Sequence, residues 1–318
     1  MGFDNWAAIL NPWTLTDEVA RFEGKPNEAG RAGLAVSPYH MAAGEVAVTI
    51  TADDVSDTPD ALLPGGFVLF AYDAASRTGF AAGVGGGSGE YSVTRIALSP
   101  EIVDKVSLVG AVGPPSGLTP GRAYHLRVRV LGGRATVSVD GTHVVDVDLP
   151  EAPPGQQLGF WALGGGAITF SDFRYVAEPG RLFVVMQFGA PYDDLYNEVI
   201  VPVAAESGLK ASRADEMSGP GIILSDIVRE IRESTAIVAE ITPANPNVYY
   251  EVGYAHAAGT PTILLVRRGQ ELPFDIRSFR CIVYDDTIAG KPQVEAQLRK
   301  HLETITASRP TLLPPDVS

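Results

Sequence analysis

The chain has 318 residues, 45% of them hydrophobic, which is enough for two cores of ordinary size when domains run about 100 to 200 residues. Its 24 Lys and Arg against 38 Asp and Glu give a formal net charge of -14, which argues against a nucleic-acid backbone or an anionic membrane as the main partner. The single cysteine, Cys281, excludes an internal disulfide and a multi-cysteine zinc site. Met1-Gly2-Phe3-Asp4-Asn5-Trp6 shows no basic segment leading into an apolar core, and no stretch approaches the roughly 20 apolar residues of a membrane span. A soluble, cytoplasmic protein is expected.

The first half reads as short runs broken by Gly, Pro, Asp and Ser: 44–51, 66–72, 79–84, 91–98, 106–112, 123–131, 134–139, 143–148, 157–162 and 167–176. In Tyr124-His125-Leu126-Arg127-Val128-Arg129-Val130 apolar and polar residues take turns, so one face is buried and one is wet, the pattern of an antiparallel sheet. Asp140-Gly141 and Gly132-Gly133 are two-residue hairpin signals. Many strands with no amphipathic helix among them predict a β-sandwich over 1–177. Gly83-Val84-Gly85-Gly86-Gly87-Ser88-Gly89 lacks the Gly-Lys-Ser/Thr ending of a phosphate loop and is read as a strand connection. Trp6, Trp13 and Trp161 are expected in the core, and His40, His125 and His143 are scattered singles that nominate no metal site. The succession ending in Gly159-Phe160-Trp161-Ala162 and Ile168-Thr169-Phe170-Ser171-Asp172-Phe173 resembles the concanavalin A-like jelly roll of laminin G-type and glucanase-like domains. That resemblance implies a module that binds a protein or glycan ligand; the paired-carboxylate strand motif of the glucanase members does not occur here.

Near Ala177-Glu178-Pro179-Gly180 the rhythm changes. Leu182 to Met186 is an apolar run without alternation, as in a strand buried on both faces of a parallel sheet. From there to the carboxy terminus helix and strand alternate. A helix over 192–206 is expected to bend at Pro202, and a strand covers 209–212. The helix 222–234 turns Ile222, Ile223, Ile227 and Ile231 inward, and the next strand is 235–241. A motif helix carries Asn247 as N-cap and Gly259 as C′ residue. Strand 262–266, a loop with Pro273-Phe274-Asp275, strand 281–284 containing Cys281 as buried filler, a helix over 294–307 and a frayed tail 309–318 complete the set. The prediction is a β plus α/β protein in which residues 181–308 form a flavodoxin-like domain of five parallel strands.

Ligands in open α/β sheets bind beyond the carboxyl ends of the strands. Those ends deliver Gln187-Phe188-Gly189, Arg213-Ala214-Asp215 and the segment from Thr242 to Asn247 with Glu251 behind it, and Asp226 returns toward the same space. Glu251 falls within about the first turn of its helix, where an acid also serves simply to complement the helix dipole. Arg213 either meets phosphate or pairs with Asp215 or Glu216; Phe188 and Tyr254 either stack on a base or pack under the loop. His256 is read as structural.

Phe183-Val184-Val185-Met186-Gln187-Phe188-Gly189, Arg213-Ala214-Asp215-Glu216, Ser225-Asp226-Ile227 and Asn245-Pro246-Asn247-Val248-Tyr249-Tyr250-Glu251-Val252-Gly253-Tyr254-Ala255-His256-Ala257 are similar to the nucleoside 2-deoxyribosyltransferase-like superfamily, and more closely to its TIR-like branch. The resemblance covers 181–285. It implies that Glu251 is the nucleophile on the sugar C1′ and that Asp226 assists the leaving base. The transferases carry an acid where this chain has Asn245, which weakens the case for deoxyribosyl transfer and leaves glycosidic cleavage open.

An ionised carboxylate below C1′ is what N-glycosidic cleavage needs, because positive charge develops on C1′ and the ring oxygen. Asn245, Asn247 and the N–H groups of a helix start suit ribose hydroxyls or a pyrophosphate. The expectation is an N-glycosidase acting on NAD or a related nucleotide as substrate, with no cofactor, or else a nucleoside deoxyribosyltransferase or hydrolase, or a nucleotide-binding module without turnover. The TIR-like resemblance further implies an antiviral effector that forms a homo-oligomer on activation, with the sandwich as sensing or oligomerisation module.

Overall fold

The computed structural model describes residues 2–24, 32–53, 63–98, 103–150, 157–216, 223–271, 276, 279 and 281–307. It divides into two compact units, one holding 1–130 with 134–178 and the other 131–133 with 179–318.

The first unit contains β1 (Ala7–Leu10), β2 (Trp13–Leu15), β3 (Val19–Phe22), β4 (Ala32–His40), β5 (Gly44–Ala52), β6 (Gly65–Asp73), β7 (Thr78–Gly85), β8 (Tyr91–Leu98), β9 (Val103–Val112), β10 (Tyr124–Leu131), β11 (Arg134–Val139), β12 (Thr142–Asp148), β13 (Gln157–Leu163) and β14 (Ile168–Ala177). They form two seven-stranded sheets, β1-β4-β13-β6-β7-β8-β9 and β12-β11-β10-β5-β14-β3-β2, with antiparallel pairing through both. The sequence pattern missed β1 to β4. The first three are only three or four residues long, and β4 is interrupted by Gly33 and Pro38, so no period could establish itself.

Alternation separates the sheets. Along β10 buried and exposed residues take turns, as its sequence requires, whereas β6, β7 and β13 are buried along nearly their whole length. The second pattern corrects the expectation of one wet face. Phe70, Phe80 and Phe160 point into the core between the sheets, and Phe67, Leu69 and Trp161 form a separate apolar cluster with Leu34 and Ile96. The central packing is aromatic: Phe160 lies between Phe170, at 4.3 Å between ring centroids, and Trp6, at 4.6 Å. Trp6 and Trp161 are buried and Trp13 packs against Phe22 and Phe170. The glycine run continues β7 to Gly85, then turns back into β8 through Gly86, Gly87 and Gly89, all at positive φ.

The second unit has five parallel strands, β15 (Gly180–Val185), β16 (Leu209–Arg213), β17 (Ala236–Glu240), β18 (Thr262–Arg267) and β19 (Cys281–Tyr284), in the order β16-β15-β17-β18-β19. Its helices are α1 (Tyr192–Leu195), continued through a π-helical turn at Tyr196–Ile200 into α2 (Val201–Glu206), then α3 (Ile223–Glu233), α4 (Pro246–Ala257) and α5 (Lys291–Ala307). Strand alternation sends Leu182, Val184, Ala236 and Val238 to the side covered by α1, α2 and α5. Phe183, Val185, Ile237 and Ala239 go to the side covered by α3 and α4. Burying each large aliphatic side chain of such a strand is worth about 1.5–3 kcal/mol, and in β17 the whole strand is buried.

Three local expectations are corrected here. The 192–206 helix changes register at the π-turn, not at Pro202: the wider turn lies just ahead of the proline, which then occupies an early position of α2 where its missing N–H costs little. The cap of α4 is Asn245, not Asn247. Cys281 is half-buried beside the α3 and α4 side of the sheet. Of the α3 isoleucines, Ile231 is fully buried and Ile227 packs against the same cluster; Ile222 and the side chain of Ile223 lie outside the described residues, as do Pro273-Phe274-Asp275 and the tail 309–318.

The hairpin between β11 and β12 turns on Asp140 at φ 53 and Gly141 at φ 80, both left-handed, as a two-residue turn of this hand requires. Gly141→Val puts a β-branched side chain at that φ and should destabilise the unit by about 1–2 kcal/mol. All three tryptophans lie in this unit, so a urea titration followed by tryptophan fluorescence reads it directly: the midpoint should fall.

Candidate active site

The site begins with the cap of α4. Asn245 has extended backbone angles, φ -122 and ψ 120, and its Oδ1 accepts the Asn247 N–H at 3.0 Å. Pro246 fills the first helical position, where no N–H needs a partner. Glu251 therefore lies six positions beyond the cap, in the second turn, and the first turn contains no acid. The helix dipole acts within the first turn, so it gives no account of Glu251. Val248, Val252 and Ala255 seat α4 on the sheet, and Glu251, three residues after Val248, is carried at the margin of that buried stripe.

There it faces a cavity of about 830 Å³, inside the range of small-molecule sites. Val184, Val185, Met186, Gln187 and Phe188 enter from β15 and the residues after it, and Ala214 and Asp215 from the end of β16. Leu224 and Ile227 come from α3, and Asn245, Asn247, Val248, Tyr250 and Glu251 from α4 and its cap. Of the residues expected at the site, the structure gathers Glu251, Phe188, Asp215, Asn245 and Asn247 around this space.

Glu251 has no hydrogen-bond or ionic partner among the described residues, and burial alone pushes its pKa up to about 7. The other acid in the lining is committed. Both oxygens of Asp215 accept from Arg213, Nε and Nη2, at 2.7 Å, and Arg213 Nη1 donates to Asp193 Oδ1 at 2.8 Å. The Arg213 bond holds Asp193 below the usual carboxylate range. Arg213 is only 7% exposed, and its guanidinium lies 4.7 Å from the ring centroid of Tyr196 and 5.2 Å from that of Phe188. The structure thus shows Arg213 in ion pairs with Asp215 and Asp193. It backs the ring of Phe188, which is 50% exposed and borders the cavity.

Four expected residues lie outside the lining: Arg213, held in the ion pair just described, and three more. Asp226 pairs with Arg229 at 2.9 Å, one turn along α3. Gly189, at φ 93, shapes the turn into α1: its N–H donates to Asp193 and its carbonyl accepts from Tyr192 and Asp193. Tyr254 lies under the guanidinium of Arg232 at 5.6 Å, with its hydroxyl buried and without a partner among the described residues. His256 stacks on Phe279 at 4.4 Å, a packing role. Gln187, expected at the end of the first parallel strand, is in the lining; sequence reasoning missed Leu224 and Tyr250. Leu224 and Tyr250 are 47% and 56% exposed, and large apolar groups left open beside a cavity are the signal that marks them. Among the described residues no cluster of His, Cys, Asp and Glu could hold a metal ion.

No protein-family model and no curated protein matches the chain. Among solved structures, a carbohydrate-binding module, CBM66, from Bacillus subtilis is similar over 54% of this chain and 96% of its own, at 16% identity and a TM-score of 0.40. The exoplasmic/lumenal domain of VIP36 is similar over 61% of this chain and 89% of its own, at 14% identity and 0.37. The CMP N-glycosidase BcmB of Clostridium botulinum is similar over 37% of this chain and 97% of its own, at 20% identity and 0.29. At these identities and scores the likenesses assign no activity.

A folded pKa above the ordinary 4.5 means that the stability contributed by Glu251 is complete below pH 4.5 and is lost as pH rises through about 7. Glu251→Gln removes that dependence. Melting followed by far-ultraviolet circular dichroism should find the variant gaining on the parent as pH climbs from 4.5 past 7, with the two level at the acid end. Glu240, also pushed up to about 7, acts in both proteins and drops out of the difference.

Proposed function

We propose that the second unit is an N-glycosidase that hydrolyses the ribosyl-base bond of NAD or a related nucleotide, with Glu251 as the group that meets C1′. The single observation that carries this reading is a desolvated carboxylate, free of any partner among the described residues, facing a cavity large enough for a nucleotide. The flavodoxin-like reading of the fold fits it: the strand order β16-β15-β17-β18-β19 changes direction beside β15, and the cavity lies at the carboxyl ends there.

The proposed reaction runs in two steps. Glu251 attacks C1′ while the C1′–N bond breaks, its electron pair passing into the departing base, and a ribosyl ester forms. Water then adds to C1′, the ester bond breaks, a proton goes to solvent and the carboxylate is restored. Asn245 and Asn247 hold ribose hydroxyls, and the base rests against Phe188 and Tyr250. A neutral base needs a proton in order to leave, and the resemblance assigns that task to Asp226, which is paired outside the cavity, while Asp215 is tied to Arg213. A pyridinium leaves as neutral nicotinamide and needs no donor. This favours NAD over ordinary nucleosides and their transfer between bases. An enzyme that consumes NAD requires restraint, and on the same reading it is a defence effector whose sandwich unit senses a ligand or assembles copies.

Purified protein incubated with NAD should release nicotinamide, and a concentration series should show activity per molecule rising as copies assemble. Glu251→Gln should lower kcat by roughly 10²–10⁴-fold, with a much smaller loss in NAD binding. The kcat/KM profile should climb with pH and level off above about 7, because only the ionised acid attacks. Release of base at parental rates by Glu251→Gln, or a swapped base in place of hydrolysis, would sink the reading.

A further inference from the structure

Glu240 is the most buried acid among the described residues, 1% exposed, and the reaction above makes no use of it. It closes β17, on the alternation that points to the side covered by α1, α2 and α5, away from the cavity. One carboxylate oxygen accepts the backbone N–H of Thr242 at 3.0 Å, and the other accepts the hydroxyl of Tyr284 at 3.2 Å. Thr242 in turn accepts the backbone N–H of Arg267 on its hydroxyl at 2.9 Å. The ends of β17, β18 and β19 are therefore pinned together at the residue where the chain departs for α4. Three positions later comes Asn245, which caps α4 and borders the cavity.

We infer that Glu240 is a positioning residue for the cleavage: by clamping Thr242 it fixes the loop that sets Asn245 and Asn247 against the sugar. The inference rests on the function proposed above. An aliphatic residue would fill the same interior position without the cost of a desolvated acid, and what it could not do is accept from Thr242 and Tyr284 together. The groups that face Glu240 are Tyr284 on β19, Arg267 on β18, Tyr192 on α1 and Tyr249 on α4. Arg267 is itself paired with Asp286 at 3.2 Å.

The test compares Glu240→Leu, Glu240→Gln and Tyr284→Phe in the full chain. Hydrogen exchange without substrate should speed up by about tenfold or more across 242–250 in Glu240→Leu, with β15 unchanged, and Glu240→Gln, which keeps an acceptor for Thr242, should restore most of the protection. KM for NAD should rise about fivefold in Glu240→Leu with kcat within about twofold, the mark of lost binding geometry rather than lost chemistry. If Glu240→Leu fails to fold, Tyr284→Phe, which removes one of the two tethers, should show the same exchange and KM changes at smaller size. Unchanged exchange over 242–250 in Tyr284→Phe and, where it folds, in Glu240→Leu, together with a parental KM, overturns the positioning role. A parent protein that releases no nicotinamide overturns the proposed reaction instead, and the exchange measurement still decides whether the clamp exists.

Discussion

Glu251 is half-buried and receives no hydrogen bond or counter-charge from the described residues, and the fold around it is what sustains that state. Taking a carboxylate out of water is expensive, and proteins ordinarily compensate with donors or a cation. Here the helix that carries the acid is seated by Val248, Val252 and Ala255, and its start is fixed by Asn245 and Pro246. The side chain has nowhere to retreat. Its ionised form is kept at a disadvantage, which on the proposed reading a bound substrate relieves.

The neighbouring charges are arranged in the opposite way. Arg213 meets two carboxylates and two rings at once, so its charge is spent within the protein. What that network contributes to the cavity is shape: Phe188 and Asp215 are held where they border it, and Tyr196, whose hydroxyl donates to Glu216 at 3.0 Å, closes the stack from behind. An arginine left free at the same place would pair with Glu251 or with phosphate and change what the pocket accepts. Rigid surroundings for one uncompensated charge are a common arrangement where electrostatics are meant to act on a substrate.

How much of this is legible in the sequence depends on the range of the interaction. The parallel sheet and its helices are readable because Leu182 to Met186 and Ala236 to Ala239 are apolar runs without alternation, and β10 announces itself by strict alternation. Placing the cap of α4 at Asn247 misses by two residues because it leaves out the proline at 246, which marks the residue before it as the cap. The pairing of Asp226 with Arg229 lies within one turn of one helix and is open to sequence reading. The commitment of Arg213 to Asp193 is not, since it joins two strand-helix connections twenty residues apart that only the sheet order brings together. Sheet β1-β4-β13-β6-β7-β8-β9 defeats the expectation of a wet face for a similar reason: its second apolar layer, Phe67, Leu69 and Trp161 among others, comes from strands distant in sequence.

On the proposed reading, the missing counter-charge also explains how substrate and acid act on each other. A pyridinium brought beside Glu251 supplies the positive charge that the protein withholds, and the developing charge on C1′ supplies more as the bond breaks. Binding and ionisation are then linked: the cation prefers the ionised form, and the ionised form is easier to reach once the cation is bound. The acid is therefore half-protonated near neutrality in the empty site and more fully ionised when occupied, with the largest gain at the transition state. A neutral ligand filling the same cavity would exclude water from the carboxyl without offering charge, pushing it further toward the protonated and unreactive form. Selection between the two classes of ligand thus follows from the solvation of one side chain, before any contact to the base itself is considered.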